Sequence, residues 1–373
     1  MGIPLNIVKI VLRCIVVFAL CRTSTTTDEK PAIFIFGDSL LDNGNNNYIV
    51  TLARANFQPY GIDFGGPTGR FTNGRTTADI QFVNEFYNVS PDQELGIGLT
   101  PPYMATTTGE PMVLKGVNYA SGGGGILNKT GFLFGGRINF DAQIDNFANT
   151  REQIIRTIGV PATLELLKNA LFTVALGSND FLDNYLARTK QERELLPPDK
   201  FVETMISKLR VQLTRLFNLG ARKIVVPNVG PMGCMPYMRD INRLSGDECA
   251  EFPNQLAQLF NTQLKSLIEE LRTNLVGSLI LYADAYDITQ DMIKNYKKYG
   301  FENPSSACCH QAGRYGGLVT CTGVSKVCED RSKYIFWDTF HPSDAANVFI
   351  AKRMLHGDSN DISPMNIGQL LQA

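Results

Sequence analysis

Short apolar runs bounded by turn residues punctuate the chain. Ala32-Ile33-Phe34-Ile35-Phe36, set between Pro31 and Gly37, shows no polar alternation, the pattern of a strand buried on both faces. Runs at residues 171–176, 223–227 and 279–284 share that pattern, and residues 116–120 form a weaker member of the set. Between these runs the period changes. Phe201, Met205, Ile206, Leu209, Leu213, Leu216 and Phe217 recur at spacings of three and four within 200–219, and Phe260, Leu264, Leu267 and Leu271 do so within 249–275. Both stretches read as helices with one apolar face, and a further helix is expected from about Ser343 to His356. Strand and helix alternate, which predicts an α/β domain with a mostly parallel sheet covered on both faces. In such sheets ligands bind beyond the carboxyl ends of the strands. No internal repeat or low-complexity linker interrupts residues 28–373, so they are expected to form a single domain.

The first residues follow a different pattern. Lys9 and Arg13 precede the apolar run from Cys14 to Cys21, and a polar stretch from Arg22 to Lys30 follows. This is the layout of a cleaved secretory signal, expected to span residues 1–27 with cleavage between about Ala19 and Thr27. The run falls short of the roughly 20 apolar residues that a membrane-spanning helix needs, so no stable membrane span is expected.

Composition agrees with a folded, secreted protein. Hydrophobic residues make up 44% and charged residues 19%, which argues against a disordered chain. Lys plus Arg number 35 against 36 Asp plus Glu, with no polybasic block, so no nucleic-acid partner is expected. Of 8 Cys, six lie between Cys234 and Cys328, a usage that fits an oxidising compartment. Local closure is the expected arrangement: Cys234 with Cys249, and Cys308, Cys309, Cys321 and Cys328 among themselves in one excursion. On the secretory route, Asn88-Val89-Ser90 and Asn128-Lys129-Thr130 become candidate glycosylation sites.

Four segments carry candidate chemistry. The first strand runs into Gly37-Asp38-Ser39-Leu40-Leu41-Asp42-Asn43-Gly44-Asn45-Asn46-Asn47. A serine at a strand exit, shortly after a glycine that eases the turn, presents its hydroxyl at the rim of the sheet. The same residue types also make an ordinary strand-to-loop turn. Gly116-Val117-Asn118-Tyr119-Ala120-Ser121 leads into four glycines, Gly122 to Gly125. Their N–H groups can approach a ligand oxygen with no Cβ in the way, as an oxyanion hole requires, or they form a flexible surface loop. Neither a P-loop nor a G-x-G-x-x-G spacing is present. The third strand continues into Gly177-Ser178-Asn179-Asp180, where the Asn179 amide can donate to an oxyanion or simply make an Asx turn.

The last segment is Trp337-Asp338-Thr339-Phe340-His341-Pro342-Ser343. An Asp three residues before a His can hold the imidazole through Nδ1–H and leave Nε2 to a serine. The other two histidines are expected to be structural: His310 beside Cys308-Cys309, and His356 near a helix end. No H-E-x-x-H or clustered zinc spacing occurs, so no metal and no cofactor are expected. No G-x-S-x-G surrounds any serine, so the nucleophile elbow of the α/β-hydrolases is missing.

Together these segments resemble the GDSL esterase/lipase family of the SGNH hydrolases, in particular its secreted plant branch. Gly37-Asp38-Ser39-Leu40 is similar to the naming motif, preceded by Phe34-Ile35-Phe36 and followed by Asp42-Asn43-Gly44-Asn45-Asn46. Gly116-Val117-Asn118-Tyr119-Ala120-Ser121-Gly122, Gly177-Ser178-Asn179-Asp180 and Asp338-Thr339-Phe340-His341-Pro342 resemble its later blocks in order. Residues 67–75 and 228–234 extend the similarity across nearly all of residues 28–373.

The resemblance implies a flavodoxin-like α/β/α sandwich with about five parallel strands, and a secreted esterase or lipase located outside the cell or in its wall. It implies Ser39 as nucleophile, His341 as base and Asp338 as the group that fixes the imidazole. It implies an oxyanion hole from the Ser39 N–H, Gly123 (or Gly122) and Asn179. A small-molecule or lipid ester is the implied substrate. An acyltransferase of the cutin-forming type would use the same triad. A non-catalytic binding or defence protein on this fold would be expected to lack Ser39, Asp338 or His341, and none is missing. Residues 57–74 and 95–111 are expected to supply pocket walls, with Phe57, Tyr60, Phe64 and Phe71 either lining an acyl site or anchoring the loops.

Overall fold

A computed structural model describes residues 31–80, 100–105 and 112–373. Five parallel strands form the centre: β1 (Ile33–Gly37), β2 (Gly116–Asn118), β3 (Leu171–Ala175), β4 (Lys223–Pro227) and β5 (Leu279–Ala283). Four short strands follow outside that sheet, namely β6 (Asn303–Ala307), β7 (Cys309–His310), β8 (Lys326–Val327) and β9 (Tyr334–Phe336). A tenth, β10 (Ile362–Ser363), returns as an antiparallel edge, giving the sheet order β2-β1-β3-β4-β5-β10. The five apolar runs of the sequence are therefore the five parallel strands. From β1 the chain steps outward to β2 on one side, then crosses over to add β3, β4 and β5 in turn on the other. The carboxyl ends of β1 and β3 thus flank the crevice where such sheets place ligands.

Alternate residues of each strand serve opposite faces. Phe34, Phe36, Phe172, Val174, Ile224 and Ile280 pack against the helices α1 (Phe140–Asn169), α2 (Pro198–Asn218) and α3 (Glu251–Asn274). Phe34 and Phe172 stack with ring centroids 5.1 Å apart, and Phe147 of α1 meets Phe172 edge-on at 5.3 Å. Ile33, Ile35, Leu171, Val225 and Leu281 pack on the other face against α4 (Ala285–Lys294), α5 (Asp344–His356) and α6 (Ile367–Gln372). Both faces are apolar, which is why the strands read as continuous hydrophobic runs.

The long helix α1 leaves no clear trace in the apolar spacing. Gly159 sits at φ 79°, ψ 165° and Pro161 follows, so the helix breaks in the middle and its apolar stripe is interrupted.

After α4 the chain leaves the sheet. In this excursion β6 pairs with β9 and β7 with β8. Disulfides Cys308–Cys328 and Cys309–Cys321 close it, while Cys234–Cys249 closes a separate loop before α3. The pairing is local, as expected. The Cys308 N–H donates to the Phe336 carbonyl at 3.1 Å and the Cys309 N–H to that of Trp337 at 2.7 Å, tying the cross-linked segment to the strand that leads into Asp338.

Candidate active site

Ser39 lies in the turn that ends β1. Gly37 is needed there for close approach: a Cβ on it would stand 3.0 Å from the Ala175 carbonyl oxygen and 3.1 Å from a Leu41 methyl. Beyond it the backbone closes one tight turn, with the Asp42 N–H donating to the Asp38 carbonyl at 3.0 Å. Gln143 of α1 holds both backbone groups of Gly37, accepting from its N–H at 2.9 Å and donating to its carbonyl at 2.8 Å. The strand exit is thus fixed from the side before Ser39 is reached.

His341 approaches from the opposite wall. Its Nε2 lies 2.8 Å from Ser39 Oγ, and its Nδ1 lies 2.8 and 2.9 Å from the two Asp338 carboxylate oxygens. Asp338 is buried and its oxygens are fully engaged. Oδ1 accepts the N–H groups of Phe340 at 2.9 Å and His341 at 2.8 Å, and Oδ2 accepts the Tyr60 hydroxyl at 2.7 Å. Burial works to raise the Asp338 pKa, but the facing His341 charge and these hydrogen bonds outweigh it and hold the carboxyl below its usual range. Phe71 packs against the imidazole with ring centroids 5.1 Å apart.

The second and third segments reach the same place. Gly123 and Asn179 line a cavity of about 310 Å³ together with Ser39, Asp338 and His341. The Gly122 N–H is already committed to Asp42 Oδ2 at 3.0 Å, whereas the Gly123 N–H has no acceptor among the described residues. Gly123 also has φ +78°, and a Cβ there would come within 2.9 Å of the Phe134 ring. Of the two glycines, Gly123 is the one whose N–H remains available. One hydrogen of the Asn179 amide donates to the Gly124 carbonyl at 3.0 Å, which leaves the second hydrogen for another acceptor.

Polar side chains that the sequence presents only as turn formers build this wall. Asn45 Nδ2 donates to the carbonyls of Asn118 at 2.9 Å and Ala120 at 2.8 Å. Asn46 donates to the Gly122 carbonyl at 2.9 Å and accepts from Ser121 Oγ at 2.6 Å. The Asp180 carboxylate accepts from Ile126 N–H, Leu127 N–H and Thr130 Oγ1, fixing the end of the glycine segment. Burial raises the pKa of Asp38, Asp42 and Asp180 to about 6 in each case, against the hydrogen bonds they accept.

Sequence reasoning misses one group in the cavity, Asp183, and the partner of another, Tyr60. Tyr60 stands out in the sequence only as one loop aromatic among four, yet its hydroxyl bonds to Asp338 across 278 positions of chain. Asp183 lines the cavity from a π-helical turn, Asp180–Tyr185. Burial, reinforced by the charges of Asp180 and Asp38, raises its pKa to about 7. Phe57, Tyr60 and Phe71 all line the cavity, and Tyr60 and Phe71 are buried, so they both anchor their loop and face the site. Phe64 instead lies under the Arg70 guanidinium at 4.5 Å.

The remaining assignments fall elsewhere. His310 lies on β7, its Nδ1 3.2 Å from the Cys308 carbonyl oxygen, and His356 ends α5. Asn128 is exposed, while Asn88 lies outside the described residues, as does all of 95–111 except 100–105. Among the described residues no group of His, Cys, Asp and Glu is arranged to hold a metal ion, and no helix is long and apolar enough to cross a membrane.

A serine hydroxyl bonded to an imidazole, whose other nitrogen is held by a buried carboxylate, is a constellation able to activate an oxygen nucleophile. Comparison with known proteins points the same way. The model of the GDSL-like Lipase/Acylhydrolase family matches residues 33–354. The Arabidopsis thaliana protein GDSL esterase/lipase At4g16230 is 54% identical over 343 residues, covering 91% of this chain and 90% of that protein. GDSL esterase/lipase At2g23540 of the same plant is 48% identical over 91% of this chain and 87% of its own length. GDSL esterase/lipase At3g50400, also from Arabidopsis thaliana, is 47% identical over 93% of each.

Proposed function

We propose, from the premise that this chain belongs to the GDSL-like lipase/acylhydrolase family and is a serine hydrolase of carboxylic esters, that Ser39, His341 and Asp338 are its catalytic triad. The reading is carried by one observation, the continuous relay from Ser39 Oγ to His341 Nε2 at 2.8 Å and from His341 Nδ1 to Asp338 at 2.8 Å.

In the first half-reaction Ser39 Oγ attacks the ester carbonyl carbon as His341 Nε2 takes its proton. Asp338 keeps Nδ1 protonated and stabilises the imidazolium. The developing oxyanion accepts hydrogen bonds from the Ser39 N–H, the Gly123 N–H and the second amide hydrogen of Asn179. Collapse of the tetrahedral species breaks the bond to the alkoxide, which receives the proton from Nε2, and leaves an acyl-serine. Water then attacks that ester with His341 as base, and Ser39 is regenerated as the carboxylic acid departs. Tyr60 acts as a positioning residue: it occupies Asp338 Oδ2 and favours one orientation of the carboxylate.

The substrate we assign is an acyl lipid or related ester, because Leu52, Phe57, Phe71, Phe134 and Leu182 give the cavity apolar walls suited to an acyl chain. The chain is assigned to the secretory route, cleaved between about residues 19 and 27 and acting outside the cell or in its wall as a single domain. The polar-flanked apolar leader and the three disulfides support this. The test is product analysis with an acyl ester in water and in glycerol, for wild type and Ser39→Ala. Free acid as the main product under both conditions, abolished in Ser39→Ala, is the expected result. Acylglycerol as the main product in glycerol would make the chain an acyltransferase, and full turnover by Ser39→Ala would remove the triad.

A further inference from the structure

Several of the most exposed apolar side chains among the described residues gather around one opening. Val50 is 90% exposed, Leu52 82%, Val324 86%, Phe132 61% and Leu133 59%. A single exposed leucine or valine is ordinary, but contiguous apolar surface marks an interaction site. Three loops bring these residues together. Thr51 and Gly135 form an antiparallel bridge, the Leu52 N–H donates to the Phe134 carbonyl at 2.8 Å, and the Gly136 N–H donates to that of Val50 at 2.8 Å. Leu52, Phe57 and Phe134 line the Ser39 cavity from this side, and Thr320, Cys321 and Thr322 line it from the third loop. A Cβ on Gly323, next to Val324, would lie 3.7 Å from the Gln58 carbonyl oxygen, so the third loop reaches the first.

Charge on these loops is one-sided. Residues 48–57, 128–137 and 318–326 carry Arg54, Lys129, Arg137 and Lys326 and no Asp or Glu, in a chain whose formal charge is -1; the acids bordering them include Asp183 inside the cavity and Glu329 and Asp330 beyond the third segment. Exposed apolar groups among cations are the composition of a surface that lies on anionic lipid. The position of the rim selects the occupant. A protein covering it would block the cavity, whereas an ester-bearing lipid surface would pass substrate through it, and the carboxylates released there would add negative charge to that surface.

We propose that the rim formed by residues 48–57, 128–137 and 318–326 docks the enzyme on an anionic lipid–water interface, with the Ser39 cavity opening onto that surface. The ester-hydrolase reading enters only in identifying what the surface presents.

Flotation with vesicles tests this, using Ser39→Ala protein so that no lipid is consumed. Asn128 is exposed on the second loop, so an Asn128→Gln version of that protein is compared alongside to remove any glycan from this face. Vesicles of phosphatidylcholine mixed with phosphatidylglycerol should carry the protein, and vesicles of phosphatidylcholine alone should carry much less. Val50→Ser/Leu133→Ser/Val324→Ser should weaken binding at least about tenfold, from the apolar area no longer immersed. Lys129→Glu/Lys326→Glu should weaken it about tenfold or more, and added salt should do likewise. With Ser39 restored, both variants should hydrolyse dissolved p-nitrophenyl acetate at the wild-type rate, which reports an intact fold and cavity. Absence of vesicle binding both with Asn128 retained and with Asn128→Gln, or binding unchanged by either set of substitutions, overturns the proposal. So does self-association abolished by the same substitutions, which would assign the face to a second copy. An enzyme inactive on dissolved ester that still binds vesicles would instead break the ester-hydrolase reading and leave the docking surface standing.

Discussion

Ser39 and His341 meet at 2.8 Å but arrive on different supports. Ser39 leaves β1, paired on both sides with parallel strands, and the turn beyond it is anchored by buried amides and carboxylates: Gln143 on Gly37, Asp42 on Gly44, Asn45 and Gly122, and Asn45 on Asn118 and Ala120. His341 stands outside the sheet, after an excursion that pairs β6 with β9 and β7 with β8 and is closed by two disulfides. One half of the site is positioned by the core and its polar lining. The other shares that core through Ile335 and Phe336 of β9, and is further held by covalent cross-links and by Tyr60 and Phe71 packed against it. The nucleophile side should therefore survive any treatment that leaves the sheet folded, while the base side should be separable from global stability.

The largest effects should strike both halves equally. Ser39→Ala and His341→Ala should each lower kcat on the order of 10⁵- to 10⁶-fold with the melting temperature unchanged, and a large residual rate in either variant would break the pairing. Asn179→Ala, on the sheet side, should lower kcat by about 10²- to 10³-fold with little change in KM, measured on a soluble ester.

The cross-links should divide the halves. Cys309→Ser/Cys321→Ser should lower kcat by about ten- to a hundredfold through misplacement of His341, while hydrogen exchange at β1 and β3 stays slow. Cys234→Ser/Cys249→Ser opens a loop with a sequence separation of 15 and should reduce stability by about 3 kcal/mol with kcat nearly unchanged. If both pairs act alike on kcat, the contrast between the two supports is wrong.

The smallest effect concerns Asp183. Its pKa rises from 3.8 to about 7 on folding, so the native state holds the proton more tightly than the unfolded chain. Stability is then greatest in acid and is lost as pH rises between about 4 and about 7. Asp183→Asn removes the penalty, so its melting temperature should exceed that of the wild type above about pH 7 and the gain should vanish below about pH 4. A gain independent of pH would show that the carboxylate is not the cause.

How much of this is legible in the sequence depends on the range of the interaction. β1, β3, β4 and β5 begin and end within a residue of their apolar runs, because a strand buried on both faces leaves an unbroken hydrophobic signature. The four chemistry-bearing segments stand at strand exits or near the chain end, where the topology brings them together. The two-residue edge β10 has no pattern to read, and α1 is disguised by its break at Gly159. Tyr60 and Asp183 escape for a different reason. Their significance comes from partners distant in the chain or from burial, and no local spacing encodes either. The Asn and Asp residues after Ser39 look like loop formers because their hydrogen bonds to residues 118–122 span more than 70 positions.

The central claim is that His341, held by a cross-linked loop, activates Ser39 on the sheet. The most direct test is the rate of fluorophosphonate labelling of disulfide-intact protein, with the adduct located by peptide mass mapping. A single adduct at Ser39, formed rapidly in the wild type and suppressed in His341→Ala, is the predicted result. An unlabelled wild type, an adduct at another residue, or labelling of Ser39 at the same rate in His341→Ala would contradict it.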